Sequence, residues 1–492
     1  MQDEIRAQSV DERVGEVVGP IADRVVSTVF YSVSIGGAEL PLIVVWLVVA
    51  GAFFTVYLGF LNVRGFRHSI DLVRGKYSDP NDAGEVSHFQ ALATAVSGTV
   101  GLGNIAGVAV AISLGGPGAT FWMIVAGFLG MSTKLAECTL GVKYRNEHAD
   151  GTVSGGPMYY LERGVGAVTG SRGFGKTLAI LFAIFCIGGA LGGGNMFQAN
   201  QATAQIQAVT GGEDSPLAGL NWLVGLAFAI AVGLVIIGGI KSIARVTEKL
   251  VPFMAVLYLT AGVVVIAFNL EAVPGAIGDI ISGAFNPQGV AGGFVGVLIV
   301  GFQRAAFSNE AGIGSASIAH SAVRTKHPST EGYVALLEPF IDTIVICTMT
   351  ALIIVITGAY LDPEAAELGG VALTSNAFES VIPWFPNVLA VAVVLFAFST
   401  MISWSYYGMK ATGYIFNDSA KAELVFKFVF VVFTVIGAAL ALEPVIGLSD
   451  SMIFLMAIPN VIGLYILART LKKELTGYRA KVDSGEFAQV EK

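Results

Sequence analysis

The chain has 492 residues, 54% hydrophobic and 13% charged, with mean hydropathy +0.72 and a formal net charge of −8. A soluble domain carries about 25% charged residues, so a soluble globular class is excluded, and the lack of any basic stripe excludes nucleic acid as a partner. Cys138, Cys186 and Cys347 fall in apolar segments without metal-ligand spacing and read as small buried hydrophobes.

Residues 1–38 are acidic and lack the basic start and apolar run of a cleavable signal peptide. They read as an extracytoplasmic tail able to form a short amphipathic helix. Eleven apolar runs follow, near 40–60, 89–114, 119–141, 177–208, 219–240, 250–268, 292–322, 334–358, 387–412, 424–441 and 450–468. About 20 apolar residues cross the hydrocarbon as a helix, so the expected fold is an all-α polytopic membrane protein of eleven spans. The loops after the odd-numbered spans hold cations, such as Arg64, Arg67, Arg74 and Lys76, or Arg469, Lys472 and Lys473, whereas "GGEDSPLAG" and "DPEAAELGG" after even-numbered spans hold none. By the positive-inside rule the C-terminus is cytoplasmic and the N-terminus outside.

The second span contains "SGTVGLGNIAG" (97–107), with Gly-x-Gly-x-x-Ala at Gly101, Gly103 and Ala106. No strand precedes it, and the first acidic residue after it, Glu137, lies in another apolar span, so a dinucleotide turn is excluded. The seventh span holds a counterpart, "SNEAGIGSASI" (308–318), with Gly312, Gly314 and Ser315 aligned to Gly101, Gly103 and Asn104 at an offset of 211. The same offset carries spans 2–6 onto spans 7–11. Five spans per copy makes the two copies enter the membrane from opposite sides, the plan of an inverted repeat, with span 1 left over. The domain scheme is therefore a tail at 1–38, an extra helix at 39–62, repeats at 87–270 and 290–470, and a cytoplasmic tail at 471–492.

Each repeat opens with a Gly-rich interruption flanked by polar residues. A broken helix exposes N–H groups suited to a carboxylate and carbonyls suited to a cation, and paired breaks point to a midplane binding site. The repeat also pairs span 4, with Asn195, Gln198, Asn200 and Gln201, with span 9, with Ser399, Thr400, Ser403, Trp404 and Tyr406. These polar groups are candidates for a lined cavity, or for satisfying one another. Ionisable residues at membrane depth are Lys134, Glu137, Arg304, Glu310, Glu338 and Asp342. Such residues pair or line water; Lys134 and Glu137, three apart, are candidates to pair with each other. Glu310 is a candidate for gating or for holding the second break open, and Asp342 for cation binding or helix anchoring.

"SGTVGLGNIAGVA", "GGPMYYLERG", "GGGNMFQANQ", "FSNEAGIGSASIAH" and "FSTMISWSYYG" together resemble the alanine or glycine:cation symporter family, the sodium:alanine symporters, from about residue 40 onward. The resemblance implies the LeuT fold, with ten core helices as a 5+5 inverted repeat plus one extra N-terminal helix. It also implies import of alanine or glycine driven by sodium, with protons in some members, in a prokaryotic cytoplasmic (inner) membrane. The implied substrate contacts are Gly98, Thr99, Gly101, Gly103, Asn104, Asn195, Gln198, Thr400 and Trp404. The implied sodium ligands are the Thr99 carbonyl and Asn104 side chain at one site, and the carbonyls of Ser97 and Val100 with the hydroxyls of Ser399 and Thr400 at another. No organic cofactor is implied. A channel would need a continuous polar pore, and a membrane enzyme a pattern such as His-Glu-x-x-His or Gly-x-Ser-x-Gly; neither occurs.

Overall fold

Helices dominate because backbone N–H and C=O groups at lipid depth have to be paired within the span. The computed structural model describes residue 20 and residues 23–35, 38–286, 293–362, 370–440 and 442–486. Most of the 1–38 tail, and with it the expected surface helix, lies outside the described residues; residues 23–29 are helical. Strand β1 (Ser32–Ile35) then pairs antiparallel with β2 (Ala38–Pro41), so the extra helix, α1 (Leu42–Tyr57), starts three residues after the expected boundary. It ends well before residue 62, in a turn where Phe60 takes φ +56°.

The first interruption separates α2 (His88–Thr99) from α3 (Ala106–Gly115), whose paths bend by 56°. There follow α4 (Gly118–Lys143), a two-residue hairpin of β3 (Asn146–Glu147) and β4 (Val153–Ser154), α5 (Arg172–Val209), α6 (Asn221–Ile236) and α7 (Gly239–Phe268). Next come α8 (Val273–Phe285), α9 (Gly293–Asn309) and α10 (Ala316–His320), the last two flanking the second interruption. The chain ends with α11 (Pro328–Thr357), α12 (Gly370–Glu379), α13 (Phe385–Ile415), α14 (Ala420–Ala439) and α15 (Leu442–Asp483).

Among the described residues, seven helices are long and apolar enough to cross a membrane, and the bent pair makes an eighth; α1 and α6 are shorter apolar helices. Phe253, Val256 and Val263 on α7 stay 58%, 65% and 55% exposed, as expected of a face turned to lipid. Helices α8 and α12 lie in loops between the expected spans, as do shorter helical segments at Phe66–Val73 and 157–169. The cytoplasmic tail expected from 471 instead continues α15 to Asp483.

Helix α4 packs against α1, α8, α9, α10 and α11. Its contacts with α1 and α8 are made through small residues. A Cβ on Gly51 of α1 would stand 3.1 Å from Leu129 Cβ, and Thr55 of α1 donates to Ser132 of α4 over 3.1 Å. Gly118 lies backbone to backbone against Gly283 of α8, and the Trp122 indole donates to the Ala284 carbonyl at 3.1 Å. Helix α1 also covers the second interruption, since Leu47 reaches the face of Gly312, where a Cβ would meet it at 2.5 Å.

A side chain at Gly118 would overlap the Gly283 backbone, whereas Gly107 has open space. Gly118→Ala is expected to cost about 1–3 kcal/mol by overpacking, read as a lowered melting temperature in detergent, while Gly107→Ala leaves that temperature unchanged.

Candidate functional site

Helix α2 is started by a capping box. Gln90 N–H donates to Ser87 Oγ at 3.2 Å, and Ser87 N–H to Gln90 Oε1 at 3.1 Å. It runs to Thr99 and stops where Val100 (ψ 85°) and Gly101 (φ −134°, ψ −147°) leave helical geometry. The amides released there are taken by side chains. Gly101 N–H donates to Asn104 Oδ1 at 2.9 Å, and Leu102 N–H to Gln198 Oε1 at 3.2 Å. Carbonyls beyond the break are taken likewise: Thr350 donates to Asn104 O at 2.8 Å and Thr374, on the loop helix α12, to Ile105 O at 3.2 Å. The break is thus a fixed structure at lipid depth, as an irregular backbone there has to be.

The second interruption runs from Glu310 to Ser315 with left-handed backbone at Glu310, Gly312 and Gly314 (φ +56°, +88° and +95°). Glycine adopts that region freely, but glutamate does not. Glu310 is held by its side chain: Oε1 accepts from the Trp404 indole at 3.0 Å, and Oε2 from the Ser315 hydroxyl. The Gly312 carbonyl accepts from Asn460 at 2.9 Å. The two breaks touch directly, because a Cβ on Gly103 would lie 3.3 Å from Ser308 Cα. Asp342 of α11 ties them together. Its carboxylate accepts from Asn104 Nδ2 at 2.6 Å, Ser308 Oγ at 2.9 Å and Thr343 Oγ1 at 2.7 Å, and Cys347 Sγ lies 3.3 Å from Asn104 Nδ2.

Helix α13 closes the first break from the side. Thr400 Oγ1 donates to Ser97 O at 3.0 Å, Ser97 Oγ to Ser399 O at 2.7 Å, Ser403 Oγ to Thr94 O at 2.9 Å and Trp404 Nε1 to Gly98 O at 3.2 Å. Ser399 Oγ turns back to Phe396 O at 3.0 Å. Helix α5 closes it from another side through a π-helical turn at Gly192–Met196. The glycines of that turn let Trp404 lie flush on Gly194, and Gln198 Nε2 donates to Gly193 O at 3.0 Å, aiming its oxygen at the break. A Cβ on Gly101 would overlap Thr400 Oγ1 and come 3.1 Å from Gln198 Oε1.

The structure therefore gathers Ser97, Gly98, Gly101, Gly103, Asn104, Gln198, Thr400, Trp404, Glu310 and Asp342 around one point. It does not bring Asn195 there. Asn195 donates to Phe430 O at 2.6 Å and accepts from Thr434 at 2.8 Å, both on α14, because the π turn rotates it away. Asn200 likewise bonds Leu440 O at 2.6 Å. The Thr99 hydroxyl bonds back along its own helix, to Val96 O at 3.3 Å. Phe307 went unremarked in the sequence, yet it packs on Gly103 and Gly193 and stacks edge-on with Phe197 at 5.3 Å. Its neighbour one turn back, Arg304, is ion-paired with Asp450 of α15.

The expected Lys134–Glu137 pair does not form. Lys134 pairs instead with Glu338 at 3.1 Å, while Glu137 accepts from Asn460 at 2.7 Å. Glu338 also meets His320 Nε2 at 2.5 Å, and Glu331 bridges His320 and His88. Each ring nitrogen of His320 thus faces a carboxylate oxygen, Nδ1 that of Glu331 and Nε2 that of Glu338. This buried chain links α2, α4, α10 and α11.

Residues 24–492 match the sodium:alanine symporter family. The sodium/alanine symporter AgcS of Methanococcus maripaludis is 41% identical over 439 residues, covering 89% of this chain and 94% of that protein. The probable sodium/glutamine symporter GlnT of Bacillus subtilis is 34% identical, covering 90% and 89%. The crystal structure of MhsT in complex with L-phenylalanine superposes with a TM-score of 0.54 at 17% identity over 80% of this chain and 93% of that one, a likeness of fold.

Removing the Lys134 ammonium leaves Glu338 with His320 alone. Lys134→Met is expected to cost about 3 kcal/mol, the scale of a broken buried pair, with partial recovery in the Lys134→Met, Glu338→Gln double variant; unchanged melting in detergent would contradict the pairing.

Proposed function

The chain belongs to the sodium:alanine symporter family of multi-pass membrane transporters, and on that premise we propose that it imports alanine and/or glycine together with sodium by alternating access. The reading takes eleven spans, a 5+5 inverted repeat with α1 as the extra helix, and the repeat boundaries 87–270 and 290–470. It puts the N-terminus outside and the C-terminus inside a prokaryotic cytoplasmic membrane. The alternation of loop cations supports that orientation.

One observation carries the reading: two helix breaks at lipid depth meet face to face, and glycine, not a larger residue, stands where α13 and α5 close on the first. On this reading the substrate sits at Gly98, Thr99, Gly101 and Gly103, walled by Trp404 and Gln198, and the crowding of Gly101 by Thr400 limits it to small side chains. Asn195, facing α14, drops out of the lining. One sodium is assigned to the Ser97 and Val100 carbonyls with Thr400 and Ser399, a reading supported by the Thr400–Ser97 contact. The other is assigned to the Thr99 carbonyl and Asn104. Asp342 joins that second site. Its hydrogen-bond donors, Asn104, Ser308 and Thr343, are all uncharged, so a buried carboxylate there is suited to a monovalent cation. Sodium at Asn104 braces the amides that meet the substrate, so ion and amino acid raise each other's affinity. Phe307 and the Arg304–Asp450 pair cover the outer side.

Labelled alanine and glycine uptake into proteoliposomes tests this directly. Uptake is expected under a sodium gradient, and uptake indifferent to sodium would remove the coupling. Gly101→Leu should abolish alanine binding in a protein that still folds; retained binding would contradict the steric role. Asn104→Ala should raise the sodium needed for half-maximal uptake about tenfold, the scale of one lost charge-assisted contact; an unchanged sodium titration would count against that site.

A further inference from the structure

Below the first break, one face of α13 carries a polar stripe at helical spacing: Thr400, Ser403 and Trp404, Tyr407, Lys410 and Tyr414. Nearly every polar atom on it is engaged. Thr400, Ser403 and Trp404 bond α2 backbone, Lys410 Nζ donates to Ser154 Oγ at 2.9 Å, and Tyr414 Oη donates to Glu162 at 2.7 Å. Tyr407 is the exception. Its side chain is fully buried, and its hydroxyl has no hydrogen-bond partner among the described residues. An orphaned hydroxyl in a protein interior costs about 1–3 kcal/mol, so the packing around it does not account for the position.

The hydroxyl is also aimed. It abuts Gly98, where a Cβ would stand 2.9 Å from it, and Gly98 is the residue whose carbonyl Trp404 holds. The Tyr407 ring meets the Trp404 ring edge to face at 5.3 Å. Thr400 marks the level of the break; the Tyr407 backbone lies seven residues, about 10 Å, farther along α13, on the side of the Lys410 contact with the β3–β4 hairpin, and its side chain reaches back to Gly98 at the edge of the break. Trp404 therefore stands between the two, bonded to Glu310.

We propose that Tyr407 is a release-path residue, its O–H donating to the carboxylate of the amino acid as it leaves the break past Trp404. This rests on the transport reading above. The ligand's two poles suit the surroundings: Glu310, released from Trp404 when the indole swings, takes the ammonium, and the Tyr407 hydroxyl supplies a charge-assisted bond to the carboxylate. A contact used only during release adds nothing to this conformation, which is why the hydroxyl is unpaired in it.

Tyr407→Phe removes the hydroxyl and no existing bond. Purified wild-type and variant proteins are compared by melting temperature, by alanine binding at saturating sodium and by initial alanine uptake in proteoliposomes. The melting temperature is expected to hold or rise, and binding to stay within about twofold, while uptake falls about tenfold, one charge-assisted hydrogen bond. Uptake within about twofold of wild type, well below the loss of one such bond, overturns the proposal. So does a binding loss as large as the uptake loss, which assigns the hydroxyl to the central site, or a lowered melting temperature, which makes it structural. Wild-type protein that transports no small amino acid overturns the transport reading itself, and this inference with it.

Discussion

Unpaired backbone at lipid depth is the constraint on which the rest of this structure depends. Each break frees amides and carbonyls that lipid cannot satisfy, and nearly every polar residue near the centre is spent on them. Asn104 and Gln198 take the amides of Gly101 and Leu102, Thr350 and Thr374 cap the far carbonyls, and Asn460 takes Gly312. Helix α1 adds to this, covering Gly312 with Leu47. Two groups beside the first break are not spent on backbone: the Asp342 carboxylate, whose hydrogen-bond donors are all neutral, and the hydroxyl of Tyr407.

Charges divide the molecule into a tied group and a surround. His88, Glu331, His320, Glu338 and Lys134 join α2, α4, α10 and α11 in one buried chain. Breaking the Lys134–Glu338 link strips a buried ammonium of its paired carboxylate, so these helices are expected to move together. Contacts from α13 and α5 to α2 and the first break are neutral hydrogen bonds and apolar packing on glycine, which cost less to remake. On the proposed reading the boundary that slides is the one between Gly101, Gly98 and Gly194 on one hand and Thr400, Trp404 and Gln198 on the other.

The breaks were legible because they are local. Glycines and flanking Ser, Thr, Asn and Glu inside apolar runs have few other uses, and the offset of 211 made the pair visible. Side-chain direction was not legible. Asn195 and Gln198 lie three apart on one helix and read alike, but the π turn at Gly192–Met196 sends one to α14 and the other to Gly101. Ion pairing failed for a related reason: Lys134 and Glu137 are neighbours in sequence, whereas the partner of Lys134 comes from α11, more than two hundred residues on. Helix α12 was invisible because "GVALTSNAFE" is neither long nor strongly apolar; its place is set by Thr374 and Val371 bonding Ile105 and Gln201.

The central claim is that ion and amino acid act on one shared backbone break. Equilibrium binding of alanine at increasing sodium, with the reciprocal titration of sodium at increasing alanine, measures this most directly. The account predicts that each ligand tightens the other by the same factor, as linkage requires. Alanine affinity that stays constant from zero to saturating sodium would contradict it.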